Sequence, residues 1–283
     1  MKQLSVKEIE LKANTIRQDI INMLVEAGSG HSAGPLGMAD VFAALYFHIL
    51  KHDPKNTDWE ERDRLVLSNG HITPVRYATM AEAGYFPKSE LSTLRKFGTR
   101  LQGHPERVRL PGVETTSGPL GSGLSQAAGM AYGLRMDKKK NRVVCLMSDG
   151  EHDEGNIWEA VLFAGKYGLS NLTGLIDRNY IQIDGSTEDV MPLEPFADKY
   201  VAFGWHVLQV DGHNVDQIID AFDEANAVAD KPTVIIAHTI PGKGVDFMEK
   251  DYTWHGKPPT PEEAKIALHE IRTLAGRIRS EHE

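Results

Sequence analysis

VVCLMSDGEHDEGNIWEAVLFAGKYGLSNLTGLIDRNYI, residues 143–181, decides the fold. Its two apolar runs, 143–148 and 172–177, are too short for helices and are bounded by polar turns, the pattern of buried strands in a parallel sheet. Between them, residues 153–167 place Ile157, Val161 and Ala164 at helical spacing, and Gly168 can stop the helix. Strand, helix, strand forms a right-handed βαβ unit whose two strands run the same way. Asp149, closing the first run, and Asn179, closing the second, therefore emerge at one carboxyl edge of the sheet, where open α/β folds bind ligands. A carboxylate, an amide oxygen and a free backbone carbonyl make a poor metal cage alone. They suit Mg²⁺ or Ca²⁺ that takes its remaining oxygens from water and a diphosphate.

The rest of the chain alternates in the same manner. Ser5-Val6-Lys7-Glu8 is a capping box, opening a helix to Ala27 with Ile9, Ala13, Ile16, Ile20 and Met23 on one face and Gly28 at its end. A loop over 28–37 leads to an all-round apolar helix, 38–50, expected to be buried. A short strand, 64–68, runs into Asn69-Gly70-His71. Pro74 starts a helix that Gly84 ends, and 89–97 reads as another. Residues 101–123 form a long Gly- and Pro-rich loop, a length usually reserved for function. The following helix carries Ala127, Ala128, Gly129 and Ala131, small enough for close packing on another helix. Helices at 195–203, 215–229 (capped by Asn214 and Gln217) and 264–274, and strands at 205–210 and 233–237, complete a doubly wound, mostly parallel sheet flanked by helices. One α/β domain over 1–283 is expected, with an N-terminal helix and a C-terminal helical tail.

Composition narrows the function. The 283 residues carry a net charge of −9, with pI near 5.7. Lys138-Lys139-Lys140 is the one basic cluster and reads as a solvated loop, so nucleic-acid binding is not expected. A single cysteine, Cys145, lies in an apolar strand and reads as core, which fits a cytoplasmic protein. No signal region or membrane-spanning stretch is apparent.

Four histidines adjoin glycines in loops: His31 after Gly30, His71 after Gly70, His104 after Gly103 and His255 before Gly256. Glycine lets backbone approach a ligand closely, so a shared site competes with the ordinary reading of polar surface residues. His48, His52, His206, His238, His269 and His282 take the ordinary reading. Zinc is disfavoured, since there is no His-Glu-x-x-His and no cysteine pair. Gly118-Pro119-Leu120-Gly121-Ser122-Gly123 could cradle phosphate at a helix N-terminus, or be a plain flexible loop. It is no P-loop, because Leu124 replaces the lysine, and Gln126 replaces the third glycine of a dinucleotide fingerprint. Glu151 and His152 are either acid–base groups or solvated loop residues. Glu154 suits the positive end of the helix it opens.

These stretches together resemble the N-terminal, diphosphate-binding part of transketolase, a thiamine-diphosphate enzyme. The likeness rests on Gly30–Gly37, Leu67–His71, Gly103–Glu106, Gly112–Gly121 and the Asp149-Gly150…Asn179-x-Ile181 pattern, and it runs from about Thr15 to His255. The resemblance implies that Asp149, the Asn179 side chain and the Ile181 carbonyl hold Mg²⁺ or Ca²⁺ against the diphosphate. It implies that His71, Gly118, Pro119, Leu120, Gly150, Asn179 and His255 contact the cofactor. His31, His104 and His255 would face the sugar and shuttle protons, and Glu154 would lie at an interface between two active sites. The implied reaction moves a two-carbon ketol unit from a ketose phosphate to an aldose phosphate, as in the pentose phosphate pathway. Ser148 replaces the first glycine of the family's Gly-Asp-Gly, and Ile72-Thr73-Pro74 after His71 is unusual, so the pocket beside that histidine is expected to differ.

Transketolases are normally more than twice as long. The part not seen here carries the pyrimidine-binding domain and its activating glutamate. The resemblance therefore implies a C-terminal partner subunit, in an assembly of two chains of each kind. Two other readings stand beside it. One is a related enzyme acting on another sugar, including one resembling deoxyxylulose-phosphate synthase. The other is a non-catalytic cofactor-binding subunit.

Overall fold

The computed structural model describes residues 3–281; His282 lies outside them. At its centre β2 (Val143–Ser148), α6 (Gly155–Lys166) and β3 (Leu172–Arg178) form the expected βαβ unit. With β1 (Arg64–Leu67), β6 (His206–Asp211) and β7 (Thr233–His238) they make a five-stranded sheet of order β1-β2-β3-β7-β6. Every pairing in it is parallel. All five carboxyl ends therefore share one edge.

Alternation along β2 shows how the layers form. Val144 and Leu146 enter a core shared with α1 (Val6–Ala27), α3 (Ala39–Ala44), α4 (Thr73–Ala83), α9 (Val215–Ala227) and α10 (Pro261–Glu281). Val143, Cys145 and Met147 point the other way, into a core with α5 (Ser122–Met136), α6 and α8 (Phe196–Ala202). Helices thus cover both faces, as the near-continuous apolar strands require. Cys145 is fully buried and unpaired, as expected.

Local chemistry sets the helix ends. Ser5 N donates to Glu8 Oε2 at 2.8 Å while Glu8 N donates to Ser5 Oγ, so the capping box is complete. Gly28 (φ 62°) and Gly84 (φ 93°) end α1 and α4 in the left-handed conformation that glycine adopts without strain.

Several expectations need correction. Part of the expected loop 28–37 is a helical turn, α2 (Ala33–Gly37), and the expected helix over 38–50 breaks into α3 and a wider π turn, Leu45–Ile49. Residues 89–97 are not an α-helix; a 3₁₀ turn covers Lys88–Thr93. A 3₁₀ turn at Gly150–Asp153 precedes α6, delaying its start to Gly155. A small hairpin, β4 (Ile181–Gln182) with β5 (Gly185–Ser186), and α7 (Thr187–Val190) were not anticipated. The small residues of α5 divide: Ala127, Ala128 and Ala131 are buried, whereas Gly129 faces outward.

Two helical glycines differ sharply in surroundings. A Cβ on Gly165 in α6 would strike the carbonyl oxygen of Phe203, just past α8, whereas one on Gly129 would meet nothing within 4 Å. Gly129→Ala should stabilise the chain by about 0.5–1 kcal/mol through helix propensity. Gly165→Ala should destabilise it by about 1–3 kcal/mol through overpacking. Urea denaturation of the two variants checks this; changes of the same sign would contradict the close approach of α6 to residue 203.

Candidate active site

At the carboxyl edge the loops enclose a cavity of about 380 Å³. Its lining includes His31, His71, His104 and His255 together with Gly118, Leu120, Gly150, Asn179 and Ile181. Residues from six separate segments, spread over more than two hundred positions, thus converge. A larger groove, about 650 Å³, lies between α1 and α10, but Asp19, Glu26, Lys88 and Lys265 line it and no histidine does. Pro119 stays outside the cavity, exposed, its carbonyl accepting from Ser122 Oγ at 2.8 Å. Glu154 is exposed at the start of α6, beside Gly121.

The imidazoles form one cluster. Ring centroids of His31 and His71 are 4.9 Å apart, those of His71 and His255 5.2 Å, and those of His31 and His255 5.5 Å. His104 packs against Gly70, its Cδ2 3.2 Å from where a Cβ on that residue would stand. Burial, then the charges of His255, His104 and Arg95, lower His31 to about 4. Burial and the other imidazoles hold His71 well below its ordinary range. Burial, then Arg95, lowers His104, and burial lowers His255. Neutral imidazoles each keep one donor and one acceptor, which suits orienting hydroxyls and passing protons.

At the other end, β2 and β3 pair with Ser148 opposite Asp177, which sets Asp149 level with Arg178, one residue before Asn179. Asp149 is wholly buried. Its Oδ1 accepts from Gly150 N at 2.8 Å, and its Oδ2 from Tyr180 N at 2.7 Å and from Arg178 Nη1 at 3.3 Å. Burial nevertheless raises it to about 6, opposed by those donors. Asn179 donates its amide nitrogen to Asp177 Oδ2 at 2.8 Å, which assigns the amide oxygen to the opposite side. Asp177 is itself raised to about 7, by burial first, with a hydrogen bond from Thr239 opposing. Among the described residues no three His, Cys, Asp or Glu side chains gather around a metal position. A cation here must rely on Asp149, amide and backbone oxygens and the ligand's own oxygens, a set that fits hard Mg²⁺ or Ca²⁺.

Several polar atoms around the site lack internal partners. His31 Nδ1, both amide atoms of Asn69, Ser117 Oγ and Asn156 Oδ1 are buried with no hydrogen-bond partner among the described residues. Such orphans are rare in proteins and match a polar ligand.

Sequence reasoning missed the groups that hold the loops. Glu151 is neither solvated nor placed as a free acid–base group. It is fully buried, accepting from Gly121 N at 2.6 Å, Ser148 N at 2.9 Å and the Ser68 hydroxyl. Ser68 Oγ in turn accepts from Gly123 N at 3.1 Å. This carboxylate ties the glycine loop to the ends of β1 and β2. Gly123 is required there, because a Cβ would collide with Ser68. Arg178 is a second such group: it also bonds Thr187 Oγ1 at 2.9 Å, Glu188 at 2.7 Å and Glu194 at 2.9 Å. Asp177 and Arg178 were visible as charges at the end of a buried run, which is a signal of a paired buried group. Nothing local marked Glu151. Ile72 of the unusual Ile72-Thr73-Pro74 is buried and packs on Gly34 rather than lining the cavity.

The comparisons agree with this geometry. The family described as "Transketolase, thiamine diphosphate binding domain" matches residues 9–273. The chain is 45% identical to the 6-deoxy-6-sulfo-D-fructose transketolase subunit SqwG of Clostridium sp. (strain MSTE9), covering 95% of this chain and 98% of that one. It is 38% identical to an apulose-4-phosphate transketolase subunit of Phocaeicola vulgatus, covering 99% of each. Rat transketolase is 40% identical over 95% of this chain, which spans 43% of that longer protein. The solved transketolase of Leishmania mexicana superposes with a TM-score of 0.85 at 31% identity, over 99% of this chain and 46% of that one.

Fold and site thus define a thiamine-diphosphate-binding α/β protein. More narrowly, the chain belongs to the transketolase family and corresponds to its N-terminal, cofactor-binding part, which serves ketol transfer.

His152 also differs from expectation. It is buried in an aromatic cluster with Trp158, Phe196 and Tyr200. The Ser148 carbonyl, 2.8 Å from Nδ1, can only accept, so Nδ1 carries the proton and Nε2 accepts from Tyr200 O–H at 2.8 Å. Burial lowers this imidazole from 6.5 to about 4. Its stability contribution is therefore whole above pH 6.5 and is lost as pH falls toward 4, where the unfolded chain takes a proton that the folded chain refuses. The loss is at most about 3 kcal/mol. His152→Gln should flatten the decline of the urea midpoint between pH 7 and 4; a decline as steep as wild type would contradict a neutral, buried His152.

Proposed function

We propose that this chain acts as the N-terminal subunit of a two-chain, thiamine-diphosphate-dependent transketolase in the cytoplasm. The observation that carries the reading is the convergence of four loop histidines with Gly118, Leu120, Gly150 and Asn179 in one cavity. Asp149, the Asn179 amide oxygen and the Ile181 carbonyl would hold Mg²⁺ or Ca²⁺ against the diphosphate, with His71, Gly118, Leu120, Gly150 and His255 along the cofactor. When bound, thiamine diphosphate supplies the carbanion chemistry that cleaves and carries a two-carbon unit. His31, His104 and His255 orient the hydroxyls of the ketose and aldose phosphates and move protons at the oxygen atoms of the reacting sugar.

The partner would be a C-terminal subunit with the pyrimidine-binding domain, in an assembly of two chains of each kind, with Glu154 at the interface between active sites. Two relatives that match along nearly their whole length are named as subunits, which supports the split organisation. The sugars in those names differ, which favours a substrate other than that of the long-chain enzymes within the same ketol chemistry.

Mixing this chain with its partner, thiamine diphosphate and Mg²⁺ should give ketol transfer that neither chain shows alone. His31→Ala or His104→Ala should lower kcat by about 10²–10⁴-fold. Full activity in both variants would overturn their roles, and no transfer with any sugar by the assembled wild type would overturn the function. Separately, Asp149→Ala should weaken thiamine diphosphate binding by at least the roughly 10–100-fold that loss of a group supporting a metal ligand costs, and make binding indifferent to Mg²⁺. Titrating cofactor with and without EDTA checks this; wild-type metal dependence in the variant would refute the ligand assignment.

A further inference from the structure

His213 lines no part of the cavity, yet it ties together the segments that carry two of the cavity's imidazoles. His31 sits on the turn into α2, and His255 ends the long connection that follows β7. Their ring centroids are 5.5 Å apart. Main-chain acceptors join the two segments at two places: Ser32 Oγ donates to Lys257 O at 2.6 Å, and Gly242 N to Ala33 O at 2.8 Å. Gly37 lies so close to Ile240 that an added Cβ would stand 3.0 Å from its carbonyl oxygen.

A relay of side chains makes a further tie. Arg17, buried on α1, donates Nε to Leu36 O at 3.1 Å and grips the Asp40 carboxylate through both terminal nitrogens. Asp40 Oδ2 also accepts from His213 Nδ1 at 2.8 Å, and His213 Nε2 accepts from Ile240 N at 2.8 Å. Burial would raise the Asp40 carboxyl, but Arg17 and then His213 hold it well below the usual carboxylate range. A carboxylate only accepts and a backbone N–H only donates, so the ring carries its proton on Nδ1 and offers a lone pair from Nε2. Each link therefore has one direction. The ion pair orients the ring, and the ring orients Ile240, two residues past β7 on the way to His255. The base of the ring is fixed as well: His213 N donates to Asp211 Oδ1 at 2.9 Å, and Gly212 N to His238 O at 2.9 Å.

We infer that His213 is a positioning residue for ketol transfer: by holding Ile240 N it registers the connection bearing His255 against the turn bearing His31, and so sets the spacing of the two imidazoles. His31 and His255 enter as groups that face the sugar, so this role rests on the ketol-transfer reading. Arg17 and Asp40 act one step further back, by fixing the orientation of the His213 ring.

Two variants separate the two bonds of the ring. His213→Gln places an amide oxygen near the position of Nε2, keeping the acceptor for Ile240 N and losing the bond to Asp40. His213→Asn places an amide nitrogen near the position of Nδ1, keeping the bond to Asp40 and losing Ile240. Each gives up one hydrogen bond, so their urea midpoints should fall by similar amounts. In the assembled two-chain enzyme, kcat should fall about 10–100-fold in His213→Asn, as for a slightly misplaced reacting group, and much less in His213→Gln. Equal kcat losses in the two variants, or wild-type kcat in His213→Asn, would overturn the inference. An independent arm, NMR titration of the full chain, needs no turnover. Burial and then the charge of His255 depress His31, so release of His255 should raise the His31 pKa in His213→Asn, and more than in His213→Gln. His104, depressed by burial and then Arg95, should titrate as in wild type. An unmoved His31 in folded His213→Asn, or equal shifts of His31 and His104, overturns the inference whatever the activity. A shift at His31 without one at His104, in an assembly that transfers no ketol unit, keeps the positioning and rejects the ketol-transfer reading.

Discussion

A carboxylate with no exposure to water, Asp149, is the constraint around which this end of the molecule is organised. An isolated buried charge is untenable, so donors must surround it. The structure supplies two backbone N–H groups, from Gly150 and Tyr180, and the guanidinium of Arg178. Arg178 does not simply cancel Asp149. It is shared with Glu188 and Glu194, which draw on its charge. Burial outweighs these donors and raises the carboxylate to about 6. A divalent cation would favour the charged form, and burial, a cost in its absence, would become selectivity in its presence. Tyr180 takes part through strain. Its left-handed φ of 64° turns its N–H onto Asp149 and lies within the short loop that carries both Asn179 and Ile181. Stacking on His238 and on the Arg178 guanidinium holds it there.

Glu151 resolves a different problem. A glycine-rich loop offers N–H groups to phosphate only if it is held still, yet glycine resists ordering more than any other residue. Glu151 accepts from Gly121 N directly and holds Gly123 N through the Ser68 hydroxyl, while its third bond returns to Ser148 at the end of β2. One buried side chain thus registers the glycine loop against β1 and β2. The Asp149 end and the glycine loop share this scaffold, since Asp149 and Glu151 are separated by one residue.

What the sequence disclosed follows from range. Periodicity and caps are local, so the βαβ unit, the ends of α1 and α4 and the burial of Cys145 were legible. The parallel sheet followed from alternation of elements, and with it the meeting of Asp149 and Asn179. The gathering of His31, His71, His104 and His255 was open from spacing alone, because glycine neighbours allow a ligand without requiring one. Glu151 and His152 were misread because their partners, Ser68, Gly121 and Tyr200, lie 30 to 83 positions away. Nothing in an Asp-Gly-Glu-His string distinguishes a solvated turn from a buried anchor. The helical turn within the expected loop 28–37 has the same origin: Gly34 and Gly37 approach Ile72 and Ile240 closely, and tertiary contact of this kind overrides propensity.

The histidines of the cavity are coupled to one another through charge as well as contact. Four imidazoles within one cavity cannot all be protonated, and burial already lowers each of them. Arg95 adds to that depression for His31 and His104. A ligand bearing negative charge acts oppositely, stabilising imidazolium on whichever ring it approaches. Basicity in the histidine cluster therefore depends on what occupies the cavity, low in the unliganded chain and higher beside anionic groups. A proton shuttle would need this property, because a group that is permanently protonated or permanently neutral cannot both take up and release a proton. Burial, which makes the rings poor bases in isolation, leaves them responsive to the charges that the site is shaped to receive.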